Sequence, residues 1–594
     1  MRMFRFALVL LLLEGSAFAA DIGCGRDTDR SGAVDTACAG ADKDNDGFPD
    51  STDCDDNDWG IYPGVPTGKG CSAGQWRMCK LDGTGYTACT SSTYCPTTSD
   101  LRLSSGDTIT ACKYFATTGN NSTGDGSSGN PYLDYRKISE GFSGNITPTA
   151  GTAYIMRGGT YSNQTYTYLA TKWFALIGTG RDCNTGSPCV LMCYPGETCI
   201  IEHDNAADGE FPQIEIADAD HWRVYGFEFD RNDTGEGTPI LGYNGAQDLI
   251  VARNYVHNVD GIASNNLAGI NFDQGATGSI DHNFVSEVCD SAAGCGALNN
   301  NGLLMFRGGT QTVAYNTVLS TVGTYSGFRI KHADYNSTYD VHHNYFSGFA
   351  KGFLSSARSA VLRDNLFVGI TTACVDISNQ GGVSFFGNET ITRNTCVTSG
   401  DGWTYTPHRT YNTDNSGPFG ACGGNAPAEG LTQSYNILQN TAASRISDQG
   451  AFVNMYPYQE TDNETAFSNL MLFSNNVYYS TTGLSSYMFN YWGLNLSVSG
   501  CAQKGPLGTT VGTLSAAQAI SSGPVTTGNE SGSLQTNPNL NAATYIPASV
   551  SQWTYGYTAG FSSTTTTSTT TTTLPSANSK RKGTFGFAGN KGQR

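Results

Sequence analysis

The stretch VHHNYF, residues 341–346, belongs to a phrase that returns along the chain: an apolar residue, two variable residues, an asparagine, another variable residue, and an apolar residue again. It recurs as VARNYV (251–256), IDHNFV (280–285), VAYNTV (313–318), LRDNLF (362–367), ITRNTC (391–396) and LFSNNV (472–477), with VYGFEF (224–229) as a looser first copy. The asparagines fall at 254, 283, 316, 344, 365, 394 and 475, and Asn436 of SYNIL fills the gap. Steps of 21 to 42 residues are too irregular for a rigid solenoid but suit a coil that carries loops of variable length.

A parallel β-helix accounts for each part of the phrase. Two short strands meet at a tight bend, and asparagine tolerates the left-handed backbone expected there. Coils stack about 4.8 Å apart, so the same amide in every coil can bond to the next as a ladder, with the flanking Val, Ile and Phe pointing inward. A β-sandwich has alternating strands too, yet nothing in it requires asparagine at one fixed place. Composition agrees: 73 glycines, 14% charged residues and no long amphipathic helical pattern favour many short strands joined by turns.

The approach to the repeats, KYFATTGNNSTGDGSSGNPYLDYRKI and then TAYIMRGGTYSNQ (residues 113–164), resembles the opening of pectate-lyase-like right-handed parallel β-helix proteins. That resemblance runs from about 113 to 555 and implies an all-β solenoid with a short N-terminal capping helix, over which Leu133, Tyr135 and Ile138 would cover the open core. It specifies fold far more closely than activity.

The first 20 residues, MRMFRFALVLLLLEGSAFAA, carry two arginines, an apolar run and an A-x-A pattern, which predicts a secretory signal cleaved near Ala19 or Ala20. No later stretch is apolar enough for a transmembrane anchor. Eighteen cysteines, several closely spaced as Cys183/Cys189, Cys193/Cys199 and Cys289/Cys295, predict disulfides, as export allows. A secreted or cell-surface protein with an Asp/Cys-rich segment over 21–110, a β-helix over 111–556 and a Thr-rich disordered tail over 557–594 is the expected organisation.

Within the front segment, Asp42, Asp44 and Asp46 alternate before Gly47, and Asp50, Asp53, Asp55, Asp56 and Asp58 follow. A loop of this form converges carboxylates on one hard cation, and calcium takes six to eight oxygen ligands. DKDNDGFPDSTDCDDNDWGIYPG resembles the thrombospondin type 3 repeat and the MopE-like metal-binding repeat, which implies Ca2+ with an ordering role. The plain alternative is a solvated acidic loop.

A second strand precedes each asparagine phrase: GINFDQG (269–275), LLMFRGG (303–309), GFRIKHA (327–333) and CVDISNQ (374–380). Strict alternation would point Ile270 and Phe272, Leu304 and Phe306, Phe328 and Ile330, and Val375 and Ile377 inward. Asn271 and Asp273, Met305 and Arg307, Arg329 and Lys331, and Asp376 and Ser378 would then face out. Such a strip suits an acidic polysaccharide. Breaking a polyuronate by β-elimination needs the uronate carboxylate neutralised, a task for Arg307 and Arg329, and a base for the C5 proton, a task for Lys331 or His332. Asp273, Asn271 and His332 are the expected substrate contacts. FRIKH is similar to the L-R-H-G strand of the alginate lyase and chondroitinase B family, except that there an Arg is followed directly by His and the basic Lys lies on the preceding coil, where this chain offers Arg307.

Two further readings stand beside the lyase. Asp273 and Asp281 could serve as the carboxylate pair of a glycoside hydrolase. Alternatively the strip is solvated surface, and the chain is a calcium-stabilised adhesion stalk. A net charge of −18 argues against nucleic acid as a partner. His257, His282, His342 and His343, beside the asparagines, are read as turn packing.

Overall fold

The computed structural model describes residues 53–96 in part, 107–202 almost throughout, most of 212–406, and separate segments from 431 to 535. Successive strands visit three twelve-stranded sheets in rotation, so neighbours within a sheet lie one full coil apart. Sheet A runs from Ala111–Phe115 to Met471–Ser474, sheet B from Gly159–Ser162 to Leu534–Gln535, and sheet C from Leu176–Ile177 to Thr509–Val511. Within these three sheets the pairing of the described strands is parallel except at the far end of sheet C, where Phe489–Tyr491 meets Thr509–Val511 in antiparallel register. The molecule is a right-handed parallel β-helix, as the asparagine phrase predicts.

The bend from sheet A to sheet B carries the ladder. Asn254 Nδ2 donates to Asn283 Oδ1 at 3.1 Å, Asn283 to Asn316 at 3.0 Å, Asn316 to Asn344 at 2.9 Å, Asn344 to Asn365 at 2.9 Å, and Asn365 to Asn394 at 3.0 Å. Asn394 continues to Asn436, and Asn436 to Asn476, each at 3.1 Å. The last rung is therefore Asn476 and not the expected Asn475, because Ser474 pairs with Ser434 and fixes the register. Each Oδ1 also accepts the backbone N–H of the asparagine one coil earlier, for example Asn283 N–H to Asn316 at 3.0 Å. The column begins at the Phe227 N–H and ends at the Ser533 hydroxyl.

Asparagine does not itself take the left-handed backbone. That falls on the preceding residue, Arg253, His282, Tyr315, His343, Asp364 and Arg393, each with φ between 53° and 56°. The strain thus falls on the residue before each asparagine, which leaves the asparagine free to turn its amide into the coil.

Inside, a column of glycines, Gly269, Gly302, Gly327 and Gly352, lets sheet C approach the larger side chains of sheet B. A Cβ on Gly327 would lie 2.7 Å from Phe346 Cδ1, and one on Gly269 2.6 Å from Val285 Cγ1. At the next coil the glycine–phenylalanine pair gives way to Cys374 and Cys396, joined as a disulfide and fully buried.

The open end is closed by a single 3-10 turn, Tyr135–Ile138, whose N-cap Asp134 accepts the Arg136 N–H. Tyr135 and Ile138 enter the core as expected, whereas Leu133 lies before the cap and stays 41% exposed. Further strapping comes from the Cys-rich front segment. It is crosslinked by Cys54–Cys79 and Cys71–Cys89, tied to the first strand of sheet A by Cys95–Cys112, and buries Tyr94 against Tyr114, Ile155, Val190 and Tyr194 on the outer side of that sheet. Cys183–Cys189 and Cys193–Cys199 are also formed, while Cys289 and Cys295 lie outside the described residues. No helix among the described residues is long and apolar enough to cross a membrane.

Candidate functional site

Sheet C supplies the site because its strands run six residues long in the middle coils, at Ala268–Asp273, Asn301–Phe306, Ser326–Lys331 and Ala373–Ser378. Their register makes two rows along the outer face. One reads Glu215, Leu241, Asn271, Leu304, Arg329, Leu354 and Asp376; the other reads Tyr243, Asp273, Phe306 and Lys331.

In one coil this reverses the phase expected from alternation. Leu303 and Met305 join the main core, and Leu304 and Phe306 face outward with Ala268 as a separate apolar cluster. Leu303, Leu304, Met305 and Phe306 form a continuous apolar run, so alternation alone allows both phases; the glycine column selects one, since Gly302 must align with Gly269 and Gly327.

Arg307 consequently stands one residue past the sheet, at φ 63° in a left-handed turn shared with Asp218, Asn244 and Gln274. It remains within the strip. Its N–H donates to the Lys331 carbonyl at 2.9 Å, and its guanidinium carbon lies 4.6 Å from the Phe306 ring centre. Lys331 Nζ approaches the same ring to 5.3 Å. Half-burial, then the charges of Arg329 and Arg307, push the Lys331 ammonium down to about 8. Asp273 is also half-buried, and burial raises its carboxyl to about 6 against the opposing pull of the Gln274 N–H, 2.5 Å from Oδ1, and of Arg307. Gln274 donates in turn to the Tyr243 hydroxyl at 2.6 Å.

Arg329 is different: it is only 3% exposed. Burial lowers its pKa, while Tyr325 and Asp376 act in the opposite direction. Asp376 lies two rungs away and pairs with Lys351 at 2.5 Å; Lys351 also donates to the Tyr325 hydroxyl at 3.3 Å. Burial would lower the Lys351 pKa, but Asp376 and Tyr325 more than offset it and hold the ammonium charged. Lys351 and Tyr325 escaped the sequence reading because KGFLS was not aligned with the strip, although its glycine places it there. Glu215, at the other end, is nearly buried, and that burial raises its carboxyl to about 8.

His332 lies outside the described residues, as do Asp42, Asp44, Asp46, Asp50, Asp56 and Asp58. Of the remaining aspartates in the front segment, Asp53 accepts the Asp55 N–H at 3.2 Å, and Asp55 is in an ion pair with Lys69 and accepts the Tyr86 hydroxyl at 3.3 Å. No cluster of three His, Cys, Asp or Glu side chains suited to a metal occurs among the described residues. Asp281 belongs to sheet A, where it bonds Ser279 and His282, so it does not share a sheet face with Asp273. His282 and His343 stack on either side of Tyr315 at 4.8 and 4.9 Å along the ladder bend, which is turn packing.

No family model matches the chain, and no curated protein matches it. Solved structures do resemble it. Pectate lyase Pel9A aligns over 60% of this chain and 81% of its own, with 14% identity and a TM-score of 0.38. The GH136 lacto-N-biosidase from Eubacterium ramulus aligns over 62% and 64%, with 12% identity and a TM-score of 0.39. The PL6 family alginate lyase AlyGC aligns over 69% and 54%, with 13% identity and a TM-score of 0.32. At these identities the likeness concerns the β-helix.

Proposed function

We propose that the chain is a secreted β-helix protein that binds an acidic polysaccharide on the outer face of sheet C and cleaves it by β-elimination. One observation carries this reading: Arg307 and Lys331 flank a single Phe306 ring on that face, with Asp273 on the adjacent rung. Arg307 pairs with the uronate carboxylate, which makes the C5 proton more acidic. The Lys331 amine, depressed to about 8, takes that proton in its neutral form. The C5–H electron pair becomes the C4–C5 double bond, the C4–O4 bond breaks, and the leaving oxygen takes a proton from the Asp273 carboxyl. Arg329 acts from beneath, since its buried charge helps to lower the Lys331 pKa. Incubation with acidic polysaccharides should produce absorbance from unsaturated uronyl ends, lost in Lys331→Ala. Binding that survives without any such absorbance would leave a glycan-binding protein, and loss of neither binding nor activity in Arg307→Ala and Lys331→Ala would favour the stalk.

The acidic front segment is proposed to hold Ca2+ through Asp42, Asp44 and Asp46, with ligands among Asp50, Asp53, Asp56 and Asp58. Asp55, already paired with Lys69, is a poorer donor to a second cation. Calcium titration of the whole protein by calorimetry should show binding that Asp44→Ala with Asp46→Ala abolishes; an unchanged titration would remove calcium from the account.

A further inference from the structure

Where the chain enters sheet A, three consecutive coils bring a hydroxyl, an imidazole and a carboxylate into line. His221 Nδ1 lies 2.8 Å from Asp248 Oδ2, and His221 Nε2 lies 3.3 Å from Thr185 Oγ1. A carboxylate only accepts, so Nδ1 of the neutral ring carries the proton and Nε2 accepts from the Thr185 hydroxyl. Burial would raise the Asp248 carboxyl, but Arg223, 2.7 Å away, and His221 more than offset it and keep it ionised. The backbone holds each member in place. His221, at φ 61°, donates its N–H to the Gln247 carbonyl at 2.8 Å and accepts the Cys189 N–H at 3.1 Å. Thr185 sits in the turn over 184–187, closed by the Ser187 N–H to the Asn184 carbonyl at 2.8 Å and enclosed by the Cys183–Cys189 disulfide.

We infer that Thr185, His221 and Asp248 form an acyl-transfer site that hydrolyses carboxylic esters, with acyl groups carried on a glycan as the substrate class. Thr185 is the nucleophile, His221 its base, and Asp248 a positioning residue that fixes the tautomer of the ring. Thr185 Oγ1 bonds to the acyl carbon as its proton passes to His221 Nε2. The carbonyl oxygen takes the negative charge beside the Thr185 and Gly186 N–H groups, which make no hydrogen bond among the described residues. The ester C–O bond then breaks, and the alcohol leaves with the proton from His221. Water repeats the step on the acyl group, yielding the acid and restoring the Thr185 hydroxyl. Thr185 lies on an exposed turn, which suits an ester projecting from a larger molecule. The connection that ends at Asp248 starts from Tyr243 on the outer face of sheet C, so a glycan on that face passes close by. The choice of a glycan rests on the polysaccharide reading above; the acyl transfer does not.

The test follows hydrolysis of 4-nitrophenyl acetate by the whole protein, and acetate release from an O-acetylated polysaccharide. Thr185→Ala and His221→Asn should each lower the 4-nitrophenyl acetate rate at least about a hundredfold, whereas Thr185→Ser should retain it. Asp248→Asn should lower kcat and leave KM unchanged, a split that general destabilisation does not produce. Affinity for acidic polysaccharide should be the same in Thr185→Ala as in the wild type. No hydrolysis above the buffer rate, or a rate that Thr185→Ala leaves unchanged, overturns the inference. Hydrolysis of the nitrophenyl ester without acetate release from the polysaccharide overturns the glycan assignment. Ester hydrolysis by a protein that binds no acidic polysaccharide would sustain this site and remove the reading of the sheet C strip.

Discussion

The ladder bend and the outer face of sheet C are built on the same coils, yet they use repetition in opposite ways. At the bend every coil from Asn254 to Asn476 presents the same side chain with the same bonds. On the outer face no two neighbouring rungs match: Asp273, Phe306 and Lys331 follow one another, and Asn271, Leu304 and Arg329 run beside them. Uniform rungs satisfy one another and build the tube. Unlike rungs make a surface with a pattern, and a pattern is what a ligand can read.

Substitutions that treat the two regions alike should separate them. The largest effect is expected from Asn316→Ala, which deprives the Asn283 N–H and Nδ2 of their shared acceptor and leaves the Ile280 and Ala314 carbonyls without their amide donor. Two buried donors left unmet should cost about 3 kcal/mol. The unfolding midpoint in denaturant measures it, and an unchanged midpoint would mean the ladder is ornamental. Next comes Gly327→Ala, on the inner side of the same sheet C. Its Cβ would meet Phe346 Cδ1 at 2.7 Å and the Gly352 carbonyl at 2.9 Å, so overpacking should cost about 1–3 kcal/mol.

The smallest stability change belongs to Arg307→Ala, where an exposed side chain leaves and the midpoint should move by less than about 0.5 kcal/mol. Glycan affinity should nevertheless fall, and it should lose part of its salt dependence. If stability fell with affinity, Arg307 would belong with the ladder. pH sharpens the same contrast. Lys331 attracts an anion only while protonated, so affinity should be full well below about pH 8 and decline as pH rises through it. A binding curve flat across pH 8 would exclude Lys331 from the contact.

The solenoid was legible because its asparagines repeat in a phrase that only stacked coils require. The disulfides Cys183–Cys189 and Cys193–Cys199 were legible from spacing. The phase of Asn301–Phe306 was not, since Leu303, Leu304, Met305 and Phe306 are all apolar and alternation has nothing to choose between. Aligning the glycines would have decided it. The left-handed position was hidden for another reason: Arg, His, Tyr and Asp share no chemistry, and only their place before the asparagine unites them. Burial of Arg329 and docking of Tyr94 depend on distant segments meeting, which local pattern does not encode.

The ladder also has a sense of direction. From Phe227 to Ser533 the backbone N–H of each rung and the links from asparagine to asparagine point toward the later coil, while each Nδ2 also donates back to a carbonyl of the earlier coil, Val251 for Asn283 and Ile280 for Asn316. Bonds between the strands of a parallel sheet point both ways and largely cancel, whereas these amides add head to tail and polarise one another. The asparagine-to-asparagine links therefore run one way along the bend, from the N-terminal coils toward the C-terminal ones.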